Sequence, residues 1–178
     1  MLSFINISTR NLFLIAFFLL PVNINAVTAP EYTLKATFLY NFTMFTTWPN
    51  TNKETRSICI LGDNPFENDL HKLVETNQKQ NHIKIEFKHE INETTDCDIL
   101  FISRSEKNLL DTILVFLKDK PILTVSDIKN FAHKNGMIEF HIQSSKIKLK
   151  INLVAVNQGG IKLHSNLIEL GTIIKTKE

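Results

Sequence analysis

Glycine is scarce in this chain of 178 residues, and none of its five glycines falls into a G-x-G-x-x-G or Walker pattern. The usual loops that cradle a dinucleotide or a nucleoside triphosphate are therefore missing. No G-x-S-x-G nucleophile elbow is present. No H-E-x-x-H pair occurs either, and His71, His82, His89, His133, His141 and His164 are dispersed along the chain. Surface histidines are expected rather than a metal site, and no cofactor is expected. There are two cysteines and no C-x-x-C, so a thioredoxin-like redox motif is excluded. Lys and Arg number 20 against 18 acids, a net charge of +2. That balance offers no electrostatic basis for binding nucleic acid or an anionic membrane surface. Beyond the N-terminus no apolar run approaches membrane length, and no repeat, low-complexity tract or interdomain linker is visible.

What is present begins with the N-terminus. Arg10 precedes a nearly continuous apolar stretch over 11–20, which Pro21 ends. Such a core, about 10–12 residues at 1.5 Å each, is too short to cross about 30 Å of hydrocarbon. Small residues follow at Ala26 and Ala29. A positive start, a short apolar core and a small exit residue form the pattern of a cleaved secretory signal. The expectation is a signal peptide over 1–26, with an alternative cut after Ala29, and a mature domain over 27–178. No membrane insertion is expected after cleavage. Losing Arg10 lowers the net charge by one unit.

Export changes the meaning of Cys59 and Cys97. In a reducing compartment they read as buried thiols; in an oxidising one a disulfide is favoured. The bridge would close a loop of about 40 residues, worth on the order of 3–4 kcal/mol by the chain-entropy model.

Periodicity organises the rest. Over 31–47 the spacing of Leu34, Phe38, Phe42 and Phe45 predicts a helix with that stripe inward, stopped by Trp48-Pro49. The aromatic cluster Phe38, Tyr40, Phe42, Phe45 and Trp48 reads as core. Strands are predicted at 57–61, at 82–88 as a half-buried or edge strand, at 97–102 covered on both faces, and at 121–125. A weaker helix is predicted from Pro65 to Thr76. Ser103 and Glu106 fit a capping box for a helix to Lys118, with Leu109, Leu110, Ile113, Leu114 and Leu117 inward. A short helix over 126–133, an antiparallel pair 137–142 and 146–151, a short strand 161–163 and a final helix carrying Leu167, Leu170 and Ile174 follow. Strands alternating with helices indicate an α/β layer fold, with a largely parallel sheet that the hairpin makes mixed.

Candidate sites are few. Gly62-Asp63-Asn64-Pro65 follows a strand, where α/β proteins often bind ligands, but its composition is that of a turn. Asp127 reads as a helix-start acid rather than a catalytic one. Lys162 and His164 would face the same way on an extended segment and could hold an anion; a solvated strand end is the alternative.

The segments 35–49 (KATFLYNFTMFTTWP), 58–66 (ICILGDNPF), 97–105 (CDILFISRS), 121–127 (PILTVSD) and 136–140 (GMIEF), then 151–153 and 161–167, resemble in order and spacing the YfiR family of periplasmic regulators. The resemblance covers essentially the whole mature chain. It implies a Rossmann-like single-domain α/β fold, residence in the periplasm, dimerisation and a non-enzymatic role. Family members bind the periplasmic sensor domain of an inner-membrane diguanylate cyclase and repress cyclic-di-GMP synthesis, and with it biofilm formation. An outer-membrane lipoprotein can sequester them. Cys59 and Cys97 match a family cysteine pair. A second pair found in some members falls at Ala132 and Glu139 here, so that bridge is absent. Lys162 and His164 match an Arg and a His implicated in holding a small anionic ligand; Lys for Arg weakens a bidentate phosphate contact. A small-ligand-binding module serving a sensor kinase or transporter, and an enzyme of unknown reaction, are the competing readings.

Overall fold

The computed structural model describes residues 28–49, 53–77 and 82–174. The predicted signal segment 1–26 lies outside them. Thr28 and Ala29, at the alternative cut, are in the first turn of helix α1, Thr28–Met44.

Seven strands form one mixed sheet in the order β3-β2-β4-β5-β6-β7-β9. They are β2 (Arg56–Leu61), β3 (Ile83–Lys88), β4 (Ile99–Ile102), β5 (Leu123–Ser126), β6 (Ile138–Gln143), β7 (Lys146–Ile151) and β9 (Gly171–Ile173). The first five, β2 to β6, are mutually parallel; β6 and β7 form an antiparallel hairpin, and β9 adds parallel to β7. The remaining two, β1 (Thr46–Thr47) and β8 (Lys162–Leu163), make a small antiparallel ribbon.

The apolar runs are central because both of their faces are covered. Ile58, Ile60, Ile99, Phe101, Leu123 and Val125 pack on Ala36, Leu39 and Phe42 of α1 and Leu70 of α2 (Asp69–Asn77). Cys59, Leu61, Leu100 and Ile102 point the other way, against Leu110, Ile113, Leu114 and Leu117 of α3 (Leu110–Leu117). Each such side chain contributes roughly 1.5–3 kcal/mol by leaving water. As expected for an edge, β3 is only partly covered, with Phe87 exposed. The disulfide Cys59–Cys97 lies on the α3 face and ties β2 to the residue two before β4.

Helix phase departs from expectation in α1. Leu34 is 46% exposed, whereas Lys35 is 1% exposed and shares the buried face with Ala36, Leu39 and Phe42. The helix ends at Met44, so Phe45 lies beyond it. The capping box at Ser103 does not form. Arg104–Leu109 is a 3-10 helix, which rotates the chain so that Leu109 is exposed and Leu110 opens the α-helix. Over 126–133 only Ala132–Lys134 is helical, as a 3-10 turn. The hairpin turns at Ser144 and Ser145, both with positive φ, as a tight two-residue connection requires. A helix not predicted, α4 (Leu153–Gln158), is capped by Asn152, whose side chain accepts from the Ala155 N–H. The final helix is short: α5 (Ser165–Glu169) yields to β9, leaving Leu170 exposed. Gly171 permits that pairing, since a Cβ there would sit 2.6 Å from Ile151 Cδ1.

Candidate functional site

In a parallel sheet of this order the strand order reverses between β2 and β4, where a crevice commonly receives ligands. Here it is filled. Ser103 N–H donates to Leu61 O at 3.0 Å, and Asp63 N–H donates to Ser105 Oγ at 3.0 Å. A Cβ on Gly62, which has φ +87°, would lie 2.3 Å from that hydroxyl. Asn64 Oδ1 accepts from Phe66 N–H, so the segment 62–65 is an Asx-stabilised turn.

The charged centre lies one strand further on. After β5, Asp127 begins no helix. Its carboxylate is buried against α1, where Oδ2 accepts from Lys35 Nζ at 2.5 Å and Tyr32 OH at 2.9 Å and pairs with Arg104 at 3.0 Å. Glu31 pairs with Lys35 from one turn earlier. Lys35 and Asp127 side chains are each 2% exposed, so two full charges are held out of water and depend on each other. Burial first, and the Asp127 charge second, push the Tyr32 phenol well above its ordinary value. Asp127 Oδ1 is buried without a hydrogen-bond partner.

This centre forms one wall of a cavity of about 380 Å³, also lined by Lys129, Glu139, Phe140, His141, Ile142 and Lys150. The sheet creates the space. The last β5 residue paired with β6 is Ser126, opposite Glu139, while β6 runs on to Gln143 against β7. His141 Nδ1 is buried in this region, also without a hydrogen-bond partner.

Ala132 and Glu139, the positions matched to a second cysteine pair, do touch. Glu139 Oε2 accepts from Ala132 N–H at 3.1 Å, and Oε1 takes Lys150 Nζ at 2.9 Å. A buried carboxylate with two donors thus links the two segments.

Lys162 and His164 lie at the opposite pole. From Lys35 to its end at Met44, α1 advances about 14 Å from the Asp127 centre towards the ribbon. Thr47 faces Lys162 across the ribbon, and His164 Nε2 is 3.3 Å from Thr47 Oγ1, with its ring edge-on to Phe45. Lys162 and His164 are both exposed, on the same side as the extended reading requires. Neither lines the Asp127 cavity, nor two further cavities of similar volume beside the disulfide and between α3 and α4.

Next to that pole Asp98 anchors the start of β4. It accepts from Lys53, Arg56, Ser57 N–H and Ser57 Oγ, while Trp48 Nε1 donates to its carbonyl and Arg56 stacks on the Trp48 ring. Burial alone raises the Asp98 carboxyl, but these hydrogen bonds outweigh it and hold the group below its ordinary value.

The Asp127 centre had one legible sign. Lys35 falls four residues before Leu39 and seven before Phe42, in phase with the core. A lysine at a core position needs a buried acid.

Among the described residues no helix is long and apolar enough to cross a membrane, and no group of three or more His, Cys, Asp or Glu could hold a metal ion. No curated protein matches the chain. The crystal structure of a conserved domain protein from Vibrio cholerae O1 biovar El Tor strain N16961 is similar, with a TM-score of 0.54 at 9% identity. The likeness covers 81% of this chain but 60% of that one, and at such identity it concerns the fold alone. The YfiR/HmsC-like family model matches residues 32–172, from the half-buried tyrosine of the Asp127 centre to the middle of the last strand, and on that match the chain belongs to the YfiR/HmsC-like family.

Proposed function

We propose that this protein is a periplasmic regulator of cyclic-di-GMP signalling. Once segment 1–26 is removed, 27–178 acts as one exported domain. It binds the periplasmic sensor domain of an inner-membrane diguanylate cyclase and holds synthesis, and hence biofilm formation, down. It works as a homodimer and without catalysis, and an outer-membrane lipoprotein can withdraw it from the cyclase. The family match over 32–172 carries this reading. The disulfide suits an oxidising compartment. The exposed pair Lys162 and His164 is the anion site that the family resemblance implies.

Deleting the gene in its native host should raise cyclic-di-GMP, and the purified mature domain should capture the cyclase's periplasmic domain. An unchanged cyclic-di-GMP level with the cyclase expressed would reject repression. A second reading, a small-ligand-binding module, draws support from the cavity that charged residues surround beside Asp127.

A further inference from the structure

We propose that the cavity at the end of β5 is a binding site for a monosaccharide-sized hydroxylated anion, a sugar acid or sugar phosphate. Its volume of about 380 Å³ falls in the range of small-molecule sites. Two of its groups are incomplete. Asp127, with a side chain 2% exposed, uses only Oδ2; Oδ1 is buried and requires a donor. His141 Nδ1 is buried and also lacks a partner, and an imidazole nitrogen can accept or donate. Both residues line the cavity, and a small rotation of either side chain brings these closed-off atoms to a ligand hydroxyl, which can donate and accept.

The cavity's charge selects the rest of the ligand. Lys35 and Lys150 are committed to Asp127 and Glu139. Arg104 is 60% exposed and meets both Asp127 and Glu31 through Nη2 alone, leaving further N–H groups in its fork. Lys129 lines the same space and is exposed. An anionic group between Arg104 and Lys129 completes the site, while Phe140 and Ile142 offer apolar surface to a ring face. A metal ion is a poor occupant beside these cations. The site is at the far end of α1 from Lys162 and His164, and its assignment does not depend on which membrane protein is regulated.

The test is calorimetric titration of the folded, oxidised mature domain with glucuronate and glucose 6-phosphate, with glucose and inorganic phosphate as partial probes. At least one of the two sugar anions should bind, and both partial probes should bind about tenfold more weakly or worse. Lys129→Ala and Arg104→Gln should each weaken binding about tenfold, since each removes a charged hydrogen bond. Lys129 is exposed and outside the core, so Lys129→Ala should unfold at the parent temperature and report on the site rather than on folding. Lys84→Ala, at an exposed lysine of the edge strand β3 outside every lining described above, should bind as the parent does. No binding of either sugar anion at millimolar concentration would overturn the proposal. So would phosphate or glucose binding as tightly as the sugar anions, an unaltered affinity in Lys129→Ala, or a loss confined to Lys162→Ala. Loss of cyclase regulation without loss of sugar-anion binding would bear on the proposed regulator role and leave this site standing.

Discussion

Lys35 and Asp127, 92 positions apart in the chain, meet at 2.5 Å with side chains each 2% exposed. The contact joins the first turns of α1 to the end of β5, and so it positions the helix that covers one face of the sheet. A charge buried this way is tolerable only while its partner is present.

Removing either partner should therefore be costly. Lys35→Met leaves Asp127 with Tyr32 and Arg104 alone, and it should lower unfolding free energy by about 3–5 kcal/mol. The double variant Lys35→Met, Asp127→Leu should recover much of that loss, because it leaves no unpaired charge in the pair. Urea unfolding of both proteins checks this. A Lys35→Met variant as stable as the parent would show the pair to be energetically idle.

The disulfide closes its loop on the α3 face. Protein folded in the periplasm should have no alkylatable thiol before reduction. Cys59→Ala, Cys97→Ala should lose about 2–5 kcal/mol, with the size set by the denatured chain as well as by the core. Alkylation mass spectrometry and thermal unfolding read the two effects separately.

Asp98 predicts the acid limb of stability. Its native carboxyl is held below the ordinary value of 3.8, so the unfolded chain binds this proton first. Its contribution is complete above the ordinary value. It is lost as pH falls from there through the depressed native value. Asp98→Asn should thus lower stability at neutral pH and flatten the fall below pH 4. Melting temperatures over an acid series check the slope; an unchanged slope would remove Asp98 from the explanation.

At the alkaline end the sign reverses. Burial, followed by the Asp127 charge, raises the native Tyr32 phenol above its ordinary value of 10.0. The unfolded chain therefore releases that proton first. The stabilisation is complete below the ordinary value and declines as pH rises above it. Ultraviolet titration of the folded protein should show one tyrosine ionising later than a free phenol. Tyr32→Phe should remove that late transition at a cost of about 1–2 kcal/mol.

Glu139 offers a further check. Glu139→Ala strands Ala132 N–H and Lys150, and it should cost about 2–3 kcal/mol in chemical denaturation. Lys150 is 25% exposed and can turn to solvent, so the buried N–H should account for more of the loss.

Much of the fold could be read in one dimension. The apolar runs at 58–61 and 99–102 became the inner strands, and the alternating run at 83–88 became the edge, because burial on two faces or one leaves its period in the chain. The hairpin at 138–151 was legible for the same reason. Helix phase was less so. Leu34 and Lys35 are adjacent, and hydrophobicity chose the wrong one, since only a distant carboxylate makes Lys35 the inward residue. Leu109 turned outward where a 3-10 turn shifted the register of α3, and the last helix stopped short of Leu170 where Gly171 allowed a strand to dock on Ile151. Lys162 and His164 share a face as extended geometry requires, yet they stand on an exposed ribbon remote from the cavity at Asp127.

The sequence by itself determined the alternation of strands and helices, the apolar strands of the core and the single cysteine pair, because these follow from local period and composition. Tertiary structure decided which charges are buried, which turn fills the crevice between β2 and β4, and where a cavity opens among charged residues. Those depend on groups far apart in the chain: Lys35 with Asp127, Asp63 with Ser105, Ala132 with Glu139. Buried electrostatics is a property of pairs, and only folding brings the pairs together.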